Sequence, residues 1–279
     1  MGMSSAGTRR SRFVSAAACV LAFCFAAGSA SAQETAVYRV TFEPAYLPEN
    51  SARIYAPLLR YLQAETGHRF TAVTPRNFQF HWRDLRQNAT TDFVFEEAHF
   101  ADYRIQRFGY RPLARLAEPS SYSIIALPET AEAGLNGLVG RRLITMTSPS
   151  LGYALLGELF RNPLSQPDIR SEATSWRDGV EMIFADETEA AIVPRYIADL
   201  YPNLQEITRS REFPGAAFLV GPQVPEEVAT AVRDALLRLH ENPDASMVLQ
   251  EIGSRRFEPA SAAELEGSEQ MLREFFGYQ

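Results

Sequence analysis

Three hydroxyl side chains, Thr147, Ser148 and Ser150, sit in one short turn between an apolar run (Leu143–Met146) and a leucine-spaced segment. Leu151, Leu155 and Leu159 recur at helical spacing, so the stretch from Leu143 to Phe160 reads as strand, turn and helix. Ser148 is expected as the N-cap and Pro149 as the first helical residue. A helix start leaves backbone N–H groups without partners at the positive end of the helix dipole. With the hydroxyls added, such a mouth holds a small oxyanion without any formal positive charge. The plainer reading is that Ser148 merely caps an ordinary helix.

Reactive chemistry has less support. The chain has no Gly-x-Ser-x-Gly elbow, no phosphate loop of the Gly-Lys-Ser/Thr type and no His-Glu-x-x-His. Both cysteines, Cys19 and Cys24, fall in an N-terminal stretch that looks like a leader: Arg9, Arg10 and Arg12, an apolar run from Phe13 to Gly28, then Ala30-Ser31-Ala32. That layout is a secretory signal, with cleavage expected after Ala32, and the apolar run is short for a membrane span. The mature chain would then hold no cysteine, and losing three arginines takes the formal charge from −7 to −10. An acidic exported protein is a poor match for nucleic acid or anionic lipid. Glu97 beside His99 would suit a cation, an amine or a metal, but His68, His81 and His240 offer no spacing to complete a metal site. No metal and no cofactor is expected.

The elements that must position these residues alternate. Val37–Phe42, Phe70–Val73 and Asp92–Phe95 read as strands, and Ser51–Thr66, Phe80–Arg86 and a segment through Phe108 read as helices between and after them. After the β-prone Tyr122–Leu127 the pattern restarts with the turn described above, a helix from Ser175 to Phe184, a buried strand Ala190–Val193 and a strand from Leu204 to Thr208. Ala216–Val220 and a helix from Pro225 to His240 follow, and the remainder reads as helical. Such alternation implies an α/β fold with ligands at the carboxyl ends of strands, here Pro44–Tyr46 and Glu96–His99. The economical arrangement is two lobes, residues 33–122 with 217–279 and residues 123–216, each a mixed sheet flanked by helices. Crossing strands near Tyr122–Leu127 and Ala216–Val220 would join them, with the C-terminal helices packed on the first lobe.

From about Val37 onward the chain resembles the phosphate/phosphite/phosphonate (PhnD-like) substrate-binding proteins of ABC transporters, a periplasmic-binding-protein type II fold. Asn50–Gly67 is similar to the family's first helix, Asp92–Tyr103 to its third strand and the turn after it, and Gly137–Tyr153 to its oxyanion-binding block. Gly179–Pro194 and Phe213–Leu239 resemble the elements that close the second lobe and return to the first. Two stretches depart from the pattern: Glu96–Phe100 replaces a Gly-Pro-rich turn, and Pro149-Ser150-Leu151-Gly152 replaces Ser-Thr-Ser-Gly. The resemblance implies a ligand held by Thr147, Ser148 and Ser150, with Arg195 as a charged fork and Trp176 near a contacting position. Tyr46 and His99 would face it from the first lobe, and Tyr122 would line the cleft floor. Each has a plainer reading: a solvated arginine, a packed tryptophan, a structural histidine, a hinge tyrosine.

The expectation is therefore a monomeric periplasmic solute-binding protein, not an enzyme, that passes a small anionic or polar solute to the membrane permease of an ABC importer. A sensor of the same fold, partnering a receptor or histidine kinase, is the alternative. An exported hydrolase, with Ser150 reaching His99 across a closed cleft, is the third.

Overall fold

Apolar runs separated by amphipathic helices build two mixed sheets. The computed structural model describes Met1 and residues 36–276; the leader expected over residues 1–32 lies outside the described residues, Met1 apart. The first sheet begins with β1 (Val37–Phe42), α1 (Pro48–Thr66), β2 (Arg69–Val73), α2 (Phe78–Arg86), β3 (Phe93–Glu96), α3 (Ala98–Phe108) and β4 (Arg111–Leu116). The chain then makes the second sheet from β5 (Tyr122–Ala126), α4 (Pro128–Ala131), β6 (Arg142–Met146), α5 (Leu151–Leu159), β7 (Asp168–Ala173), α6 (Trp176–Phe184), β8 (Ala190–Pro194), α7 (Arg195–Ala198) and β9 (Gln205–Arg209). It returns through β10 (Ala217–Val220), α8 (Glu226–Arg238), α9 (Met247–Glu251), β11 (Phe257–Pro259), α10 (Ala262–Leu265) and α11 (Gln270–Phe276). No described helix is long and apolar enough to cross a membrane.

Strand order is β11-β4-β10-β3-β1-β2 in one sheet and β7-β6-β8-β5-β9 in the other. In the first, β1 runs parallel to β2 and β3, while β10 runs antiparallel to β3 and β4. In the second, β6 runs parallel to β7 and β8, and β5 antiparallel to β8 and β9. The parallel strands are covered by helices, which is why Phe93–Glu96 and Ala190–Pro194 are buried end to end. Helix α1 starts at Pro48 and stops at Gly67, whose φ of 72° is the left-handed C-cap conformation glycine adopts without strain. Its inner face buries Tyr55, Leu58 and Leu62, with Tyr55 stacked on Phe42 at 3.8 Å. Each of those leucines contributes roughly 1.5–3 kcal/mol by leaving water.

Three sequence expectations need correction. Helix α5 begins at Leu151, with Ser150 rather than Ser148 as the N-cap: Ser150 Oγ accepts from Tyr153 N at 3.3 Å. Ser150 N donates to Thr147 O at 3.0 Å, so residues 147–150 form a separate tight turn before the helix. The C-terminal block is not wholly helical, because β11 adds an edge strand to the first sheet, Phe257 pairing with Leu116. Tyr122–Ala126 and Ala217–Val220 do not make the crossings; each is a full strand of one sheet. Residues 117–121 and 210–216 cross instead, and Ser120 and Phe213 pair between them. Gly215 lies there because a Cβ would come within 2.5 Å of both Leu116 O and Glu118 O.

Candidate functional site

Strands β1 and β3 of the first sheet and β8 of the second aim their carboxyl ends at a cavity of about 190 Å³ that also touches both crossing segments. Glu43 and Tyr46 come from the loop after β1, Glu97 from the residue after β3, and Arg195 and Tyr196 from the turn after β8. Tyr55, Phe95, Ser120 and Gly215 complete most of the wall. Beside it, Gly253 closes the rim at φ 70°, where a Cβ would lie 2.2 Å from the Tyr196 ring.

Two carboxyl groups dominate this wall. Because β1 and β3 are neighbours in parallel register, their successors lie side by side, and Glu97 N donates to Glu43 Oε2 at 2.8 Å. Glu97 Oε1 accepts from Ser120 Oγ at 2.9 Å and, more weakly, from Tyr122 OH at 3.5 Å. Glu97 Oε2 is buried and has no partner. Burial pushes the Glu97 carboxyl up to about 7, against the pull of its hydroxyl donors. Burial also lifts Glu43 well above the ordinary range, and the neighbouring Glu97 charge adds to it. Tyr46 donates to Glu251 O at 2.7 Å and receives Tyr196; burial first, then nearby acids, pushes its phenol up to about 12.

Behind the pair, the adjacent Glu96 has the opposite fate. It is wholly buried in β3, yet Arg104 Nε at 2.7 Å and His81 Nε2 at 3.0 Å occupy its oxygens. Burial alone would raise its carboxyl, but Arg104 and His81 together hold it below the usual range. This buried triad orders the end of β3 from which Glu97 projects.

The residues singled out from sequence divide between two places. Tyr46 and Arg195 line the cavity, and Tyr122, 2% exposed, reaches Glu97 from β5. Arg195 Nε pairs with Asp199 Oδ1 at 3.0 Å on the half-exposed rim. The remainder gather at the start of α5. His99, fully buried, places Nε2 3.2 Å from Pro149 O. A carbonyl only accepts, so Nε2 carries the proton and the partnerless Nδ1 is an acceptor. Burial pushes His99 down to about 4, so the ring is neutral at physiological pH. Trp176 lies against Gly152, where a Cβ would meet its ring at 3.0 Å, and against Tyr122 at 5.3 Å between centroids. Ser150 spends its hydroxyl on Tyr153 N and Met146 O, Thr147 Oγ1 is buried without a partner, and Ser148 is half-buried.

Glu43 escaped sequence reasoning altogether. Its position directly after a strand of a parallel sheet was the available signal.

The model of a family described as the periplasmic substrate-binding protein of a phosphonate ABC transporter matches residues 40–265. No curated protein matches. Among solved structures, PhnD1 from Prochlorococcus marinus in complex with methylphosphonate superposes with a TM-score of 0.72 at 12% identity, covering 87% of this chain and 99% of its own. A binding-protein component of an ABC phosphonate transporter from Pseudomonas aeruginosa gives 0.70 at 14%, covering 85% and 86%. An ATP-bound protein from Xanthomonas citri gives 0.64 at 16%, covering 85% and 98%. At these identities the likeness is one of fold.

Proposed function

Because the chain belongs to the family of phosphonate-type periplasmic substrate-binding proteins of ABC transporters, we propose that it captures a small polar solute between its two sheets and presents it to a membrane permease. The observation that carries this reading is the cavity itself. It is reached by the carboxyl ends of parallel strands from both sheets, borders both crossing segments, and is lined by the Glu43 and Glu97 side chains. Residues 33–122 with 217–279 and residues 123–216 then act as lobes that open about 117–121 and 210–216. The chain works as a monomer outside the cytoplasm once its leader is removed after Ala32.

The ligand class implied by the family is a phosphonate- or phosphate-like oxyanion. Its support on this chain is the first-turn N–H groups of α5. Tyr46, Tyr122 and Arg195 would contact solute in the cavity, and His99, Ser148, Ser150 and Trp176 would frame its approach to α5. The protein binds its solute and does not transform it.

Thermal melting of the mature chain tests the reading. A solute that binds only the folded state at a hundred times its Kd adds about 2.7 kcal/mol, a rise of a few degrees. Phosphate, phosphite, phosphonates, sulfonates, carboxylates and small amines form the panel. A transition that none of them moves refutes the proposed function.

A further inference from the structure

One glycine in the chain meets two constraints at once. Helix α9 ends at Glu251, and Gly253 follows at φ 70°, the left-handed conformation that a helix stop favours. Gly67 ends α1 at φ 72° and Gly109 ends α3 at φ 68°, and at both a Cβ would find nothing within 4 Å. At Gly253 a Cβ would lie 2.2 Å from Cγ and 2.4 Å from Cβ of Tyr196, far inside contact distance. Helix termination accounts for the φ. It does not account for Tyr196, which follows β8 of the second sheet, resting on bare backbone of an element attached to the first.

Residues 251–253 stand between two spaces. On one side is the cavity, with Tyr46, Ile252 and Gly253 in its wall. On the other is an outer groove of about 420 Å³ bordered by Tyr46, Glu251 and Arg177. The segment is fixed on the first-sheet side, where α9 packs on α1 and buries Val248 and Leu249. Ser254 Oγ and Arg255 Nε also donate to Glu118, tying it to the crossing segment 117–121. Three contacts reach it from the second-sheet side. Tyr196 donates to the Tyr46 hydroxyl, which donates to Glu251 O at 2.7 Å. Arg177 Nη2 pairs with Glu251 Oε2 at 3.2 Å, and the Tyr196 ring lies on Gly253. A half-exposed ion pair is worth little, so the phenol relay and the ring on glycine carry the contact.

We propose that residues 251–253 form a strap that shuts the solute cavity, and that Gly253 is a positioning residue whose bare backbone lets Tyr196 seat and the two sheets close. The proposal rests on the solute-binding reading and adds a gate to it. Solute enters from the outer groove, between Arg177 and the strap, and the strap follows the hinge through Glu118. All three contacts join the chain's own atoms, so the closed form predominates in solution and opens transiently. A side chain at position 253 leaves each half intact but keeps the halves from meeting.

Trp176 reports on closure. It is 3% exposed, and its ring lies 6.3 Å between centroids from Phe78 at the start of α2, on the first-sheet side. Trp82 is the other tryptophan of the chain, so Trp82→Phe leaves one reporter.

The experiment is acrylamide quenching of Trp176 fluorescence in the mature Trp82→Phe chain, with small-angle scattering alongside and no solute added. Gly253→Ala and Gly67→Ala both force alanine into the left-handed region and share that backbone strain; only the first meets Tyr196. The expected result is weak quenching in the parent and in Gly67→Ala. Gly253→Ala should quench roughly threefold more strongly, with a larger radius of gyration, while still melting cooperatively. Equal quenching in the two alanine variants, or a parent as open as Gly253→Ala, overturns the proposal. So does a Gly253→Ala chain that fails to fold where Gly67→Ala folds, because the contact would then belong to a body that does not open. The solute-binding reading is decided separately, by the melting panel.

Discussion

Two regions at the carboxyl ends of parallel strands face the same competition for hydrogen bonds and leave different chemistry behind. The turn after β6, residues 147–150, is rich in hydroxyls, yet Ser150 closes its hydrogen bonds on Tyr153 N and Met146 O, Pro149 O is taken by His99, and the one buried atom left over is the neutral Thr147 Oγ1. The turns after β1 and β3 bring two carboxyl groups together, and they finish with an acceptor oxygen to spare. Residue type predicts what a turn could hold; local competition for its hydrogen bonds decides what remains available. Glu96 and Glu97 repeat the lesson over a single peptide bond, one charge-paired with Arg104 and hydrogen-bonded by His81, the other left without a counter-charge.

The largest expected effect separates those two acids. Arg104→Ala strands Glu96 as an unpaired charge in the core, which should cost about 3–5 kcal/mol in chemical denaturation. Because Glu96 is held below its ordinary range, this contribution is present above the unfolded glutamate value and fades in acid. A loss under 1 kcal/mol at pH 7 would mean that Glu96 is not ionised there.

Glu97→Gln should act in the other direction. The folded carboxyl titrates near 7 against an ordinary 4.5, so the native state holds the extra proton and stability falls as pH rises between those values. Above pH 7 the amide variant should be more stable than the parent by on the order of 1–3 kcal/mol, with the gain gone by pH 5. Melting curves across this range measure it, and a variant that is less stable at pH 8 contradicts the raised value.

Changes in the hydroxyl turn should be smaller. Ser150→Ala removes a helix cap and should cost about 1 kcal/mol, whereas Ser148→Ala should stay within about 0.5 kcal/mol. Equal losses would restore Ser148 as the cap. The smallest effect belongs to Arg177→Ala, which breaks a half-exposed pair with Glu251 at 3.2 Å and should change stability by about 0–1 kcal/mol, less at high salt.

Much of the fold was legible because its signals are local. Leucine spacing, Pro48 at a helix start and glycine at its end mark α1, and Asp92 introduces a strand whose apolar run is unbroken. What escaped lacks such signals. Strand β7 reads Asp-Ile-Arg-Ser-Glu-Ala because it is a sheet edge, where charges on the outer face guard against further pairing. Strand β11 is three residues long and exists only through its partner β4. Ser148 and Ser150 were equally good caps by type, and the tight turn from Thr147 O to Ser150 N decided between them. The acidic pair was half visible. Strand ends placed Glu97 at the site, but its burial depends on Ser120 and Tyr122, whose approach is a consequence of the crossing and not of any nearby residue.

A crystal structure of the mature chain with its solute bound measures the contrast between the two turns most directly. The account predicts solute density in the cavity between the sheets, against Arg195 and the rings of Tyr46 and Tyr196. Density confined to the start of α5 around Thr147, with the cavity left unfilled, would contradict it.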